Sequence, residues 1–365
     1  MPHLLSGNCT VVSQWIGYTQ YLLKLGDAAI GLARQFTSPD QVLRGPRTPS
    51  MDEWRRAILQ CDAGNVVLPP GSWVQTISDA DYPPLLAECS DAPFLLFGRG
   101  DVETLSKPAI AIVGSRRPSL DGCVLAERFA YELASVGFVI VSGLATGIDT
   151  AAHRGAIKAG GKTVAVIATG IDKTYPLSNS SLSAEIVNSG AVVSQFPPAS
   201  APKKHHFPRR NRTLSGLALA TVVIEAGIPS GTLITATAAA EQGRDVFALP
   251  WSINHHGGRG CLQLLMDGAL LAVTPSDVIR AVNWLRPSIG IPELDVTDCS
   301  AMQGRAAHGT SDALVAVVGD GLHSADELAS ALAMDITEVQ RALIQLEIDG
   351  RLTRLAHGYW TRTPI

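Results

Sequence analysis

Six short apolar runs, separated by stretches of small residues with helical spacing, constrain this chain more than any other feature. They cover residues 109–113, 138–141, 164–168, 191–193, 221–224 and 246–249. Strands that are apolar on both faces must be covered on both, and helical segments between them supply that cover while returning the chain for parallel pairing. The expectation is an α/β fold built on an extended, Rossmann-like, doubly wound parallel sheet. With only 5% aromatic residues among 46% hydrophobic ones, the interior should be built from Ala, Val, Ile and Leu.

At 365 residues the chain is long for a single core, and its punctuation suggests how it divides. The first hundred residues read as an accessory segment, mostly helical, with short helices near 11–32 and 54–59 and breaks at Pro69-Pro70-Gly71 and Pro83-Pro84. The sheet domain is expected over 101–285, and Pro287, Gly290, Pro292 and Gly304 mark a linker over 286–308. Beyond it, helical spacing at 311–318, 324–334 and 335–349 precedes two short strands, 351–355 and 359–362, about His357-Gly358. Three helices and a two-stranded wing make a winged-helix domain over 309–365.

Cys9, Cys61, Cys89, Cys123, Cys261 and Cys299 show no metal-ligand spacing and read as thiols of a reducing compartment. The first residues carry no basic segment followed by an apolar one, so no export signal is expected and the location reads as cytoplasmic. The apolar stretch 216–240 contains Glu225 and Pro229, which suits a strand followed by a helix better than a membrane span.

Charge is unevenly spread. The net charge is -4, yet Lys203, Lys204, Arg209, Arg210 and Arg212 fall within ten residues. A dense basic island on an acidic protein suits local capture of a polyanion, although a solvated loop is the commonest fate of such a run. Phe207 sits inside it. A ring among cations is what base stacking on single-stranded nucleic acid needs, whereas duplex DNA hides its base faces.

Three strand-to-helix loops add to this: Gly114-Ser115-Arg116 after the first run, Ser142-Gly143 after the second, and Ser230-Gly231-Thr232 after the fifth. Ligands of open parallel sheets sit at the carboxyl ends of the strands, where helix N-termini present free N–H groups. None of the three is a G-x-G-x-x-G or Walker A sequence, and each alone is equally an ordinary turn or N-cap. Together with the basic island they outline one anion-binding crevice.

These residues carry a resemblance. Ile112-Val113-Gly114-Ser115-Arg116, Ser142-Gly143-Leu144-Ala145-Thr146-Gly147-Ile148-Asp149, Phe207-Pro208-Arg209-Arg210-Asn211-Arg212, Ser230-Gly231-Thr232-Leu233 and Gly243-Arg244-Asp245-Val246-Phe247-Ala248 occur in the order found in the DprA (Smf) family of DNA-processing proteins, which the chain resembles from about residue 82 to 269. The resemblance implies a homodimer that binds and protects single-stranded DNA and loads a RecA-type recombinase in natural transformation; neither a cofactor nor a catalytic step is expected. It implies that Arg116 grips phosphate, that Lys204 and Phe207 contact backbone and base, and that Arg210, Asn211 and Arg212 shape the same pocket. Two departures stand out: Trp251 where the family usually has Gly, and Gly260-Cys261-Leu262 where members commonly have Gly-x-Asn.

Two other readings compete. Related phosphoribohydrolases use a loop ending in a catalytic Glu, but Thr235 holds that position here, and a hydroxyl cannot act as the same base. Asp149 and His153 read equally as a helix cap and a packed histidine. A duplex-specific regulator would use the third helix of the winged domain, but Glu338, Glu347 and Asp349 against the single Arg341 disfavour entry into a phosphate-lined groove. Arg351, Arg354 and Arg362 make the wing the more basic part.

Overall fold

The computed structural model describes residues 39–44, 49–60 and 68–289, then 314–315, 317–318, 323–332, 334–348, 351–355 and 359–362, with positions 14, 16, 17 and 19. Most of the helical region expected near 11–32, most of the linker and the turn at His357-Gly358 lie outside these residues. The chain divides into two compact units, Met1–Leu294 and Asp295–Ile365.

The first unit is built on a nine-stranded sheet. Its strands are β1 (Ser72–Thr76), β2 (Leu95–Gly100), β3 (Ala109–Val113), β4 (Val139–Ser142), β5 (Thr163–Ile167), β6 (Ala191–Ser194), β7 (Ala220–Val223), β8 (Asp245–Ala248) and β9 (Leu270–Leu271). They lie in the order β1-β2-β6-β5-β4-β3-β7-β8-β9. The pairs from β6 to β9 are parallel, while β1 with β2 and β2 with β6 are antiparallel. From β3 the chain first winds outward through β4, β5 and β6, then returns to lay β7 on the other side of β3. Ala109 pairs with Val139 on one side and Ile110 with Ala220 on the other. That reversal leaves a crevice at the carboxyl ends of β3, β4 and β7.

The helices are α1 (Pro39–Arg44), α2 (Pro49–Leu59), α3 (Leu120–Ser135), α4 (Ile148–Lys158), α5 (Ser180–Ser189), α6 (His206–Gly216), α7 (Gly231–Glu241), α8 (Arg259–Met266) and α9 (Pro275–Ile289). Strand alternation sorts β5 between two cores. Val164 and Val166 pack with Leu214 of α6 and Ala236 of α7. Ala165 and Ile167 pack with Leu182 and Ile186 of α5 and with Val42, Trp54 and Ile58 of α1 and α2. Both faces of the sheet are therefore covered, and the doubly wound architecture follows from the apolar runs.

The sheet reaches further toward the N-terminus than the boundary expected at residue 100. Leu95, Leu96 and Phe97 are fully buried, and β2 carries them into the sheet. Trp73 of β1 lies where a side chain on Gly98 would fall, 2.1 Å from its ring, and its indole N–H donates to the Gly100 carbonyl at 3.0 Å. The strands are short and lie among proline and glycine breaks, which obscures them in the sequence.

The second unit contains α10 (Ala325–Leu332), α11 (Ile336–Ile348) and a small antiparallel sheet ordered β10 (His323–Ser324), β12 (Tyr359–Arg362), β11 (Leu352–Arg354). Leu314, Leu328, Val339, Leu343, Leu346, Leu352 and Trp360 form its core. Residues 314–315 and 317–318 are helical, so helices and wing fall where their periodicity put them, and the fold is a winged helix. Among the described residues no helix is long and apolar enough to cross a membrane.

Candidate nucleic-acid interface

The three loops and the start of α6 meet at the crevice beside β3. They enclose a cleft of about 570 Å³ whose lining includes Gly114, Ser115, Arg116, Arg117, Phe207, Arg210, Asn211, Ser230, Gly231 and Thr232. A smaller recess between Arg116, Gly143, Tyr175, Phe207 and Arg210 joins the same group of residues.

The loop after β3 is held by its backbone. The Ser115 N–H donates to the Glu225 carbonyl at 2.8 Å, and the Ile148 N–H to the Ser115 carbonyl at 3.1 Å. The Thr146 hydroxyl donates to the Arg116 carbonyl at 3.2 Å, while Ser115 Oγ accepts from the Arg117 N–H at 3.1 Å. Gly147 makes this junction possible: its φ is +82°, and a Cβ there would lie 2.4 Å from the Ser115 carbonyl oxygen. With the backbone fixed, the exposed Arg116 places its guanidinium 4.9 Å from the centre of the Phe207 ring. Tyr175 meets the same ring edge-on at 6.1 Å.

Beneath them Arg210 is buried. Its Nη1 donates to the carbonyls of Gly143 and, at 2.7 Å, Val166. A Cβ on Gly143 would fall 1.9 Å from that nitrogen, so only glycine admits the guanidinium. Burial pulls the Arg210 pKa down to about 10, with the neighbouring Asp149 opposing the shift. Asp149, also buried, is pushed up by desolvation and held down by Arg210 and by the Ala145 N–H, which donates to it at 3.2 Å. Ser142 is fully buried and does not itself line the cleft; its hydroxyl donates to the Ile112 carbonyl at 2.7 Å, and its side chain also bonds to Asp149, helping to hold that carboxyl down.

The basic island divides by direction. Lys203 and Lys204 are exposed just before α6, and neither lines the cleft. His206 turns inward, stacking on Phe196 at 4.0 Å with Nδ1 3.1 Å from the Ala168 carbonyl. Burial, with the surrounding cations, lowers its pKa. Phe207, Pro208, Arg210 and Asn211 line the cleft, whereas Arg212 leaves it and bonds to Asp91 and, at 2.6 Å, to Glu241. Arg212 thus shapes the site only by holding α6, because helical rotation carries position 212 to another face from 207 and 211.

At the third loop, Ser230 caps α7: its Oγ accepts from the Thr232 N–H at 3.1 Å. Glu225, at the end of β7, caps α3 across the sheet. Its two carboxylate oxygens each accept from the Ser119 N–H at 3.1 Å, and the Ser119 hydroxyl bonds to it as well. The segment carrying Arg116 and Arg117 is suspended between these anchors. The sequence gives no reason to place Tyr175 or the structural part of Glu225 here, marks Thr235 only as the place of a missing carboxylate, and leaves Arg117 out of the site although it adjoins Arg116. Arg117 was legible from its place beside Arg116, but Tyr175 comes from a distant loop and carries no local signal.

The two departures lie outside the cleft. Trp251 donates its indole N–H to the Ile224 carbonyl at 2.7 Å and stacks on His255 at 4.3 Å. Cys261 is fully buried, its thiol pushed up to about 12 by desolvation. His153 is packed, its Nδ1 2.7 Å from the Thr163 hydroxyl, and burial lowers its pKa to about 3.

Comparison with known proteins agrees with this arrangement. Residues 73–283 match the family described as DNA recombination-mediator protein A, and residues 300–358 match the DprA winged helix domain. The DNA processing protein DprA of Streptococcus pneumoniae is 47% identical over 209 residues, covering 57% of this chain and 74% of that protein. Protein Smf of Escherichia coli is 35% identical over 285 residues, 76% of this chain and 74% of that one. The crystal structure of the Streptococcus pneumoniae protein aligns with a TM-score of 0.62 at 37% identity, covering 74% of this chain and 95% of that one. A structure describing the single-stranded DNA binding mode of DNA processing protein A from Helicobacter pylori aligns with a TM-score of 0.52 at 29% identity, covering 57% and 95%.

Proposed function

The chain belongs to the DNA recombination-mediator protein A family, also called DprA or Smf, and from that premise we propose that its cleft binds single-stranded DNA without nucleotide hydrolysis. The observation that carries this reading is the Arg116 guanidinium over the half-buried Phe207 ring at the mouth of a cleft flanked by two helix N-termini. Arg116, Arg117 and the backbone N–H groups of Gly114 and Gly231 face phosphates, and Phe207 takes a base, displacing or sharing the cation above it. Lys204, on the exposed approach to α6, extends the path of the strand. Arg210 and Gly143 form the floor, and Asn211, Ser230 and Thr232 its walls.

The strand so held is protected and passed to a RecA-type recombinase in the cytoplasm. That the family is one of recombination mediators supports that step. Homodimerisation is supported by the far edge of the sheet, where Leu270 and Leu271 of β9 are exposed beside Met266 and Val273. No catalytic step is assigned: Thr235 stands where a carboxylate would be needed, and Asp149, the acid on the cleft wall, is tied to Arg210 and Ala145. For the winged helix, exposed Glu338 and Glu347 on α11 favour protein contact over groove reading.

The test is competition between a labelled oligothymidylate and unlabelled single-stranded or duplex DNA of equal length, without ATP. Single strands should displace the label at far lower concentration. Equal competition by duplex, or binding that needs ATP, contradicts the proposal.

A further inference from the structure

The α7 end of the cleft carries donors that the fold does not use. Thr232 and Thr235 are 8% and 2% exposed and both line the cleft. Among the described residues neither hydroxyl has a hydrogen-bond partner; only the Thr232 N–H is engaged, by Ser230 Oγ at 3.1 Å. Thr237 shows the contrast. Its hydroxyl returns to the Leu233 carbonyl at 3.0 Å, the usual way a helical threonine satisfies itself. Side chains this buried normally find partners for their hydroxyls, so two without one that line the same cavity point to a ligand.

Helix geometry makes these groups converge. Residues 231, 232 and 235 share one face, and helical side chains lean toward the N-terminus, so the Thr235 hydroxyl overhangs the first turn. The Gly231 N–H is one of the donors a helix start leaves without an internal acceptor, and the space beside Gly231 is open to 4 Å. The end of the cleft thus offers a main-chain N–H and two hydroxyls under the positive end of an eleven-residue helix. Arg116 and Arg117 line the same cleft. The lining acid, Asp149, is engaged by the Ala145 N–H at 3.2 Å and lies beside Arg210.

We infer that this end of the cleft is a phosphomonoester subsite, taking the terminal phosphate of a strand or of a free nucleotide through Gly231, Thr232 and Thr235. Three donors match the three terminal oxygens of a monoester, whereas an internal phosphodiester offers two. The dianion also gains more from the helix end than a diester does. A neutral Thr235, where an acid would repel phosphate, keeps the subsite open to it. The inference rests on reading the cleft as a single-strand site and adds that it holds strand ends.

The experiment uses the full chain and twelve-nucleotide oligothymidylates ending in 5′-phosphate, 3′-phosphate or hydroxyl at both ends, with thymidine 5′-monophosphate and thymidine as competitors. A terminally phosphorylated strand should bind about tenfold tighter than the hydroxyl-ended one, the size expected of added hydrogen bonds to a charged group. The monophosphate should compete where thymidine does not. Thr235→Val should bring the ratio of the two affinities toward one, while Thr235→Ser keeps it; if Thr235→Val melts early, Thr232→Val gives the same readout. Strand binding with a ratio of one in the native chain, and no competition by the monophosphate, overturns the subsite and leaves strand binding intact. A ratio that survives both valine variants also overturns it. Competition by the monophosphate without any strand binding would support the subsite and overturn the strand reading instead.

Discussion

Arg116 and Phe207, 91 residues apart in the chain, meet as a cation over a ring at 4.9 Å. One comes from the loop after β3 and the other from the first turn of α6, and neither could reach the other without the reversal that sets β7 beside β3. The pair is a consequence of topology, and binding predictions follow from its two chemically different halves.

Phe207→Ala should weaken single-strand binding by about 1–3 kcal/mol through lost stacking, while the dependence on salt stays nearly the same. Titrations at two salt concentrations, beside a melting curve, check this. A large fall in melting temperature with unchanged affinity would make Phe207 a packing residue only.

Gly143→Ala should be far more damaging than its size suggests. The added methyl would fall 1.9 Å from Arg210 Nη1, displacing a buried guanidinium from two carbonyls, at a cost of about 1–3 kcal/mol or more. Thermal unfolding measures it. An unchanged melting temperature would mean that Arg210 has another stable position.

Glu225→Gln should lower stability by about 1–3 kcal/mol, because the buried carboxylate that caps α3 through Ser119 loses its charge. Denaturant titration reads the loss, and a variant as stable as the native chain would show the cap to be dispensable.

His153 supplies a pH signature. Its folded pKa is about 3, below the roughly 6.5 of an unfolded histidine. The unfolded chain therefore binds the extra proton first, and the His153 contribution is present above pH 6.5 and lost as pH falls toward 3, by up to a few kcal/mol. His206, also lowered by burial, acts in the same direction. Stability measured between pH 7 and 4.5 should fall less steeply in His153→Gln; equal slopes would contradict the assignment.

How much of this was legible in the sequence depends on range. The parallel strands announced themselves because residues such as Val164 to Ile167 are apolar on both faces, and Ser230-Gly231-Thr232 read as a helix start from local chemistry alone. Arg212 was misplaced for want of a rotation angle: a basic run looks uniform until its helix turns one cation toward Asp91 and Glu241 and another, Arg210, into the floor of the cleft. Leu95 to Phe97 escaped because a short antiparallel strand, one in from the edge of the sheet and amid proline breaks, has no regular spacing. Tyr175 and the Ser119–Glu225 cap join segments that only the folded sheet brings together.

The central claim is that Arg116 holds a strand by its phosphates, and the salt dependence of binding tests it most directly. Single-strand affinity of the native chain and of Arg116→Ala is measured over a series of salt concentrations. The native plot of log affinity against log salt should have a slope of roughly -2 to -3, and the variant should bind more weakly to every base composition with a slope less steep by about 0.7, one phosphate contact. Native affinity and an unchanged slope in Arg116→Ala would contradict the account.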